Sequence, residues 1–177
     1  MATVLEASVA VVDVIGAIAF VYIASTLAKI ARSVGGSIDT ANGFLVLALA
    51  QVFATVAILS GGRLAYTSYI ATSVFSAAGF TIIFTSRKKL YTLTLPALLP
   101  ILSDTVAAAT ALVASYKFRG VAKILVASLS IGFILRLVSL FLLPASTGIL
   151  LLVLGEYSRS LAATVLAVYY ALPQGGR

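Results

Sequence analysis

The sequence predicts an all-α integral membrane protein: a six-helix transmembrane bundle forming one domain over residues 1–177. Three observations carry that reading. Six long apolar runs fill nearly the whole chain. Hydrophobic residues make up 62% and charged residues 10%, with a mean hydropathy of +1.16, whereas soluble domains carry roughly 25% charged residues. The short breaks between runs hold the Gly, Pro and basic residues that turns at a membrane surface use.

The runs cover about 4–28, 43–61, 64–86, 91–116, 120–143 and 147–172. At 1.5 Å of rise per residue, about twenty residues cross the ~30 Å hydrocarbon core, so each run is long enough to span. The first ends in the polar stretch Lys29–Asn42, with Gly35-Gly36 at its turn. Gly61-Gly62-Arg63 reverses the chain between the second and third. Ser86–Lys89 and Lys117–Lys123 are basic corners, Pro144 closes the fifth run, and the Leu172–Arg177 tail follows the sixth. Pro96 and Pro100 open the fourth run, and Pro100, one turn in, is expected to kink it. Tyr66, Tyr69, Tyr91, Tyr116, Tyr169 and Tyr170 fall near run edges, where amphipathic rings favour the headgroup region.

Several chemistries are excluded. The chain has no Cys and no His, which removes thiolate zinc sites, His-ligated haem, iron–sulfur clusters and His-assisted nucleophilic catalysis. No glycine-rich phosphate loop or metal-ligand pair is present. The expectation is therefore a protein that is not an enzyme and holds neither cofactor nor metal. The net charge of +7 belongs mostly to Lys and Arg at the ends of apolar runs, where they meet lipid headgroups. The partners expected are the lipid bilayer and either further copies of the chain or other membrane subunits, and no nucleic acid. The amino terminus lacks the basic stretch of a secretory signal, and the first run is expected to remain as a span. Multi-pass insertion in the cell membrane is the expected location. Scarcity of Asn, Gln and Met is a thermophile-like habit, and the Ala-rich, loop-poor texture is archaeal-like.

Six alternating spans would place both termini on one side, together with Arg63, Lys117, Arg119, Lys123 and Arg177. Lys29, Arg32, Arg87, Lys88 and Lys89 would lie on the other. The positive-inside rule is then tied, and the first connection tips the expectation towards termini outside.

The two halves correspond faintly. Asp13, Ala24-Ser25, Lys29 and Arg32 are followed at matching spacing by Asp104, Ala114-Ser115, Lys117 and Arg119, and Phe53 falls on Phe133. A duplicated three-span unit in an alternating chain is inverted, an architecture found in transporters.

The most informative residues are the charges inside the runs: Glu6, Asp13, Asp104, Arg136, Glu156 and Arg159. A charge at bilayer depth is costly and marks a substrate path, a proton site or a structural lock. Small residues flank them at helical spacing, as with Gly132 and Ser139 around Arg136, so these faces should point into the bundle. Asp104, Arg136, Glu156 and Arg159 are expected to form a network, pairing Arg136 with Glu156 and Asp104 with Arg159. Asp13 is left without a cation and is a candidate proton or cation site. Glu6 is expected at the interface, and Gln51, Thr55, Tyr69, Thr72 and Ser76 read as interhelical hydrogen-bonding residues. The function expected is a transporter or channel for a small solute or ion. The alternative is a non-catalytic accessory or scaffold subunit of a larger membrane complex.

Overall fold

The computed structural model describes residues 4–85, 100–143 and 146–172. The regular structure among them is helical: α1 (Val4–Ser33), α2 (Asp39–Leu59), α3 (Gly62–Thr85), α4 (Pro100–Ser115), α5 (Gly120–Leu142) and α6 (Ser146–Ala171). All but α4 are long and apolar enough to cross a membrane, five helices in total. The chain is thus a multi-pass membrane protein by the length and composition of its helices. The run edges expected at 86 and 91, the Arg87-Lys88-Lys89 corner, Tyr91, Pro96, Pro144 and Arg177 lie outside the described residues. So does the expected kink, because α4 is described only from Pro100 onward.

Each helix packs against its neighbours in sequence, and α6 closes back on α1 to complete a ring. Small residues bring the backbones together. A Cβ on Gly43 of α2 would sit 2.8 Å from the Gly79 carbonyl oxygen of α3, and one on Gly79 equally close to Gly43 O. Close approach through glycine suits helices in lipid, where packing and hydrogen bonds drive association more than water exclusion does. The outward faces carry large apolar residues such as Ile18, Ile124, Phe141 and Leu161, fit to meet lipid acyl chains.

The helix directions depart from simple alternation. Asp104 of α4 meets Ser73 and Tyr69 of α3, while further along both chains Lys117 donates to the Phe84 carbonyl at 3.2 Å. Both helices advance the same way between these contacts, so α3 and α4 are parallel. By the same test α1 and α6 are parallel, with Tyr157 on Ser8 at 3.0 Å and Ser160 on Asp13 at 3.3 Å. One end of the ring, the Gly61 end, therefore holds the start of α1, the α2–α3 turn and the α5–α6 turn. The opposite Gly35 end holds the α1–α2 and α4–α5 turns and the last turn of α6.

This corrects two expectations. The described ends of α1 and α6 lie at opposite faces rather than sharing one. The first and fourth helices run the same way, which is a parallel relation and not the inverted one that unbroken alternation imposes. Phe53 and Phe133 also occupy unlike places: Phe53 stacks on Phe75 of α3, whereas Phe133 meets Phe80 of α3 and the Arg159 guanidinium of α6. Asp13 and Asp104 do match in one respect, since each accepts a hydrogen bond from a serine on the helix parallel to its own.

Candidate functional site: a buried chain of alternating charges

Five ionisable residues meet inside the ring, all almost fully withdrawn from the surface. Arg136 of α5 lies at the first junction. Its Nε stands 3.6 Å from Asp104 Oδ2 of α4, and its Nη1 3.1 Å from Glu156 Oε1 of α6. Arg159, one turn beyond Glu156 on the same face, pairs with Glu156 Oε2 and stands 3.9 Å from Asp13 Oδ1 of α1. The order across the bundle is Asp104, Arg136, Glu156, Arg159, Asp13, with acid and base alternating at each step.

Neutral groups hold the ends of this chain. Tyr69 donates to Asp104 Oδ2 at 2.6 Å, and Ser73 donates to Asp104 Oδ1. The Arg136 guanidinium lies over the Tyr69 ring, 4.1 Å from its centroid, so one tyrosine supports both members of the pair. At the other end Arg159 donates to Gln51 Oε1 at 3.1 Å, and Ser160 to Asp13 Oδ1 at 3.3 Å. Arg159 also lies 5.0 Å from the Phe133 ring centroid. Opposed groups held by these hydrogen bonds can occupy a low-dielectric interior that rejects a lone ion.

Glycine makes room for the arginines. Gly132 and Gly155 touch across α5 and α6, and a Cβ on Gly155 would lie 3.2 Å from Arg136 Cγ. Each long arginine stem thus lies against a helix backbone that carries no side chain at that level.

Arg136 and Glu156, in the middle of this chain, form the floor of a cavity of about 640 Å³ at the Gly61 end. Leu5, Glu6 and Val9 of α1 line its α1 side, and Tyr69, Thr72, Arg136 and Glu156 lie deepest. Below the charges the ring is packed. Phe133 meets Phe80, and Phe44 bridges Phe20 and Phe118, with Ile23 and Ile83 buried among the same cluster. A second cavity of about 490 Å³ lies at the Gly35 end, lined by Ser37, Thr40, Lys117, Phe118 and Arg119 among others. The two cavities are separated by this apolar layer, and only the first reaches the charges.

The structure brings Arg136 and Glu156 together, as the turn between α5 and α6 predicts. Asp104 pairs with Arg136 rather than Arg159, because α4 and α5 are antiparallel neighbours and α4 does not pack on α6. Asp13 does have a cation, Arg159, reached across the α1–α6 contact that closes the ring. Sequence reasoning missed Ser73 and read Gln51 and Tyr69 as general interhelical contacts, whereas all three serve the charges directly. The signal available was the density of polar residues in α3, where Ser68, Tyr69, Thr72, Ser73 and Ser76 fall within little more than two turns. Glu6 stands on the cavity wall. No protein-family model matches the chain, and neither a curated protein nor a solved structure matches it.

Proposed function

We propose that this protein moves a small solute or ion across a membrane, as a transporter or channel, with Asp104, Arg136, Glu156 and Arg159 as its charged site. The observation that supports this most directly is the cavity whose floor is Arg136 and Glu156. A purely structural ion pair gains nothing from a water-accessible approach, whereas a translocation site needs one. The packed layer of Phe20, Phe44, Phe80 and Phe133 beneath the charges gives the barrier expected of a path open to one side. The reading assigns no enzymatic role.

The test is flux. Purified protein reconstituted in liposomes is placed under imposed proton, sodium, potassium and chloride gradients, then offered small organic anions and cations. Wild type should carry at least one of these, and Asp104→Asn and Arg159→Gln should abolish that flux while keeping helical content and a monodisperse elution profile. Wild-type liposomes silent to every probe would overturn the proposal.

A second reading rests on one specific observation: Asp104, Arg136 and Glu156 already satisfy one another inside the ring. That is also how a register lock in a scaffold subunit looks. Native mass spectrometry after mild extraction separates the two. Homo-oligomers or a lone chain fit transport, and stoichiometric recovery with larger unrelated subunits fits the scaffold.

A further inference from the structure

The buried charges do not balance. Three carboxylates, Asp13, Asp104 and Glu156, face two guanidiniums, Arg136 and Arg159. No other Lys or Arg is buried among the described residues. With every group ionised, the interior would hold one uncompensated negative charge, a state the membrane interior strongly disfavours. One bound proton removes it.

Geometry selects the carboxylate that carries the proton. Asp104 accepts from Tyr69 and Ser73 and pairs with Arg136. Glu156 pairs with both arginines. Asp13 has the weakest anionic support of the three: its closest cation is 3.9 Å away and one serine hydroxyl approaches Oδ1 at 3.3 Å. Its Oδ2 has no hydrogen-bond partner, although the side chain is 0% exposed. An unpartnered carboxylate oxygen at that depth is where an O–H bond costs least to form.

The groups facing Asp13 come from both elements packed on α1. The α6 helix supplies Glu156, Arg159 and Ser160, and α2 supplies neutral Gln51. Gly16, one turn along α1, lets these helices close in: a Cβ there would lie 2.9 Å from Ser160 Oγ and 3.2 Å from Gln51 Nε2. The α1 face leading to Asp13 runs through Glu6 and Val9, both on the cavity wall, at helical spacing. Asp13 is therefore one turn below the cavity.

We infer that Asp13 is a proton-binding site coupled to the charge chain, loaded from the Gly61-end cavity. Loading forms an O–H bond at Oδ2 with a proton from cavity water, and release returns that proton to water. With Asp13 neutral, Arg159 rests on Glu156 and Gln51, as observed. With Asp13 ionised, Arg159 is drawn from Glu156 towards Asp13, which leaves Glu156 to Arg136 alone and shifts the balance at the Arg136–Asp104 pair. The occupant is a proton and not a metal cation. A guanidinium within 4 Å repels a cation, and a single serine and carboxylate fall short of the six or more oxygens that sodium-like or calcium-like ions gather. The inference deepens the transport reading by naming its coupling ion, but its test does not depend on flux.

The test is infrared difference spectroscopy of the reconstituted full chain, titrated from neutral to alkaline pH in sodium-free and sodium-containing buffer. Wild type should show a protonated-carboxyl C=O band at neutral pH that disappears on alkalinisation and is indifferent to sodium. Asp13→Asn, which mimics the neutral acid in shape, should fold and lose the band. Asp104→Asn and Glu156→Gln each leave two carboxylates to two guanidiniums and should move the disappearance of the band to lower pH, whereas Ser160→Ala keeps the charge count and should keep the band at a shifted frequency. Absence of the band in wild type, its removal by sodium, or its persistence in Asp13→Asn would overturn the proton site. The Ser160→Ala shift reads the same site should Asp13→Asn fail to fold, and an unshifted band would then overturn it. A silent flux assay with the expected band present would overturn transport and leave the proton site standing.

Discussion

Gly132 and Gly155 face each other across α5 and α6, each placed where the other's side chain would have to go. A Cβ on Gly132 would lie 2.7 Å from Gly155 O, and one on Gly155 would lie 2.8 Å from Gly132 O. The same Gly132 Cβ would meet Arg159 Cδ at 3.0 Å. The two backbones therefore touch at the level of the charge chain, and the contact sets how far the arginines can reach. Gly132→Ala and Gly155→Ala should each destabilise the bundle by about 1–3 kcal/mol through overpacking, read as a lowered thermal midpoint in detergent. Gly61→Ala is the control: nothing stands within 4 Å of a Cβ there, so its midpoint should stay put.

Arg136 serves two acids at once, and this predicts an asymmetry. Arg136→Gln leaves Asp104 without a cation and Glu156 with Arg159 alone, and should cost about 3–5 kcal/mol. Exchanging the partners, with Arg136→Glu and Glu156→Arg together, would rescue an isolated pair. Here it places a new carboxylate beside Asp104, whose Oδ2 stands 3.6 Å from Arg136 Nε. The double exchange should therefore remain destabilised, and adding Asp104→Asn should recover about 0.5–3 kcal/mol as a coupling energy in the triple variant. Chemical unfolding in mixed micelles measures all three. A full rescue by the double exchange alone would mean that Asp104 is not part of the cluster.

Much of this was legible from the chain alone, for identifiable reasons. The helices of α2, α5 and α6 fall within a few residues of the apolar runs that predict them, because composition and turn residues mark both ends. The Arg136–Glu156 pair was legible because a short turn forces α5 and α6 together and fixes their relative depth. Pairings across helices that are not joined by a short turn were not. Asp13 and Arg159 meet only because α6 closes on α1, and no local pattern encodes ring closure. Depth alone does not say which helix lies beside which, so the expected Asp104–Arg159 pair gives way to Asp104–Arg136. The tie in basic residues rests on alternation through residues 86–99, and the parallel course of α3 and α4 removes it.

The cavity predicts a gradient of chemical access. The chain has no native cysteine, so single cysteines report cleanly. Ala65→Cys and Thr72→Cys stand on the cavity wall and should react with charged thiol reagents added from the Gly61 end. Ala24→Cys, in the packed layer beyond the charges, should resist the same reagents. Labelling at Thr72→Cys should also block flux, since it fills the floor beside Arg136. Equal reaction at all three positions would remove the one-sided path.

Ring topology also orients the molecule. Lys29, Arg32, Lys117, Arg119 and Lys123 all lie at the Gly35 end, whereas Arg63 is the surface cation at the Gly61 end among the described residues. Lys123 lies 4.6 Å from the ring centroid of Tyr116, an aromatic and a base together at that interface. An excess of basic residues in short connections marks the cytoplasmic side, so the Gly35 end should face the cytoplasm and the charge-lined cavity should open away from it. In intact cells expressing single-cysteine variants, an impermeant thiol reagent should label Gly61→Cys and spare Val34→Cys until the membrane is permeabilised. The reverse pattern would place the cavity on the cytoplasmic side, and Asp13 would then exchange its proton with the cell interior.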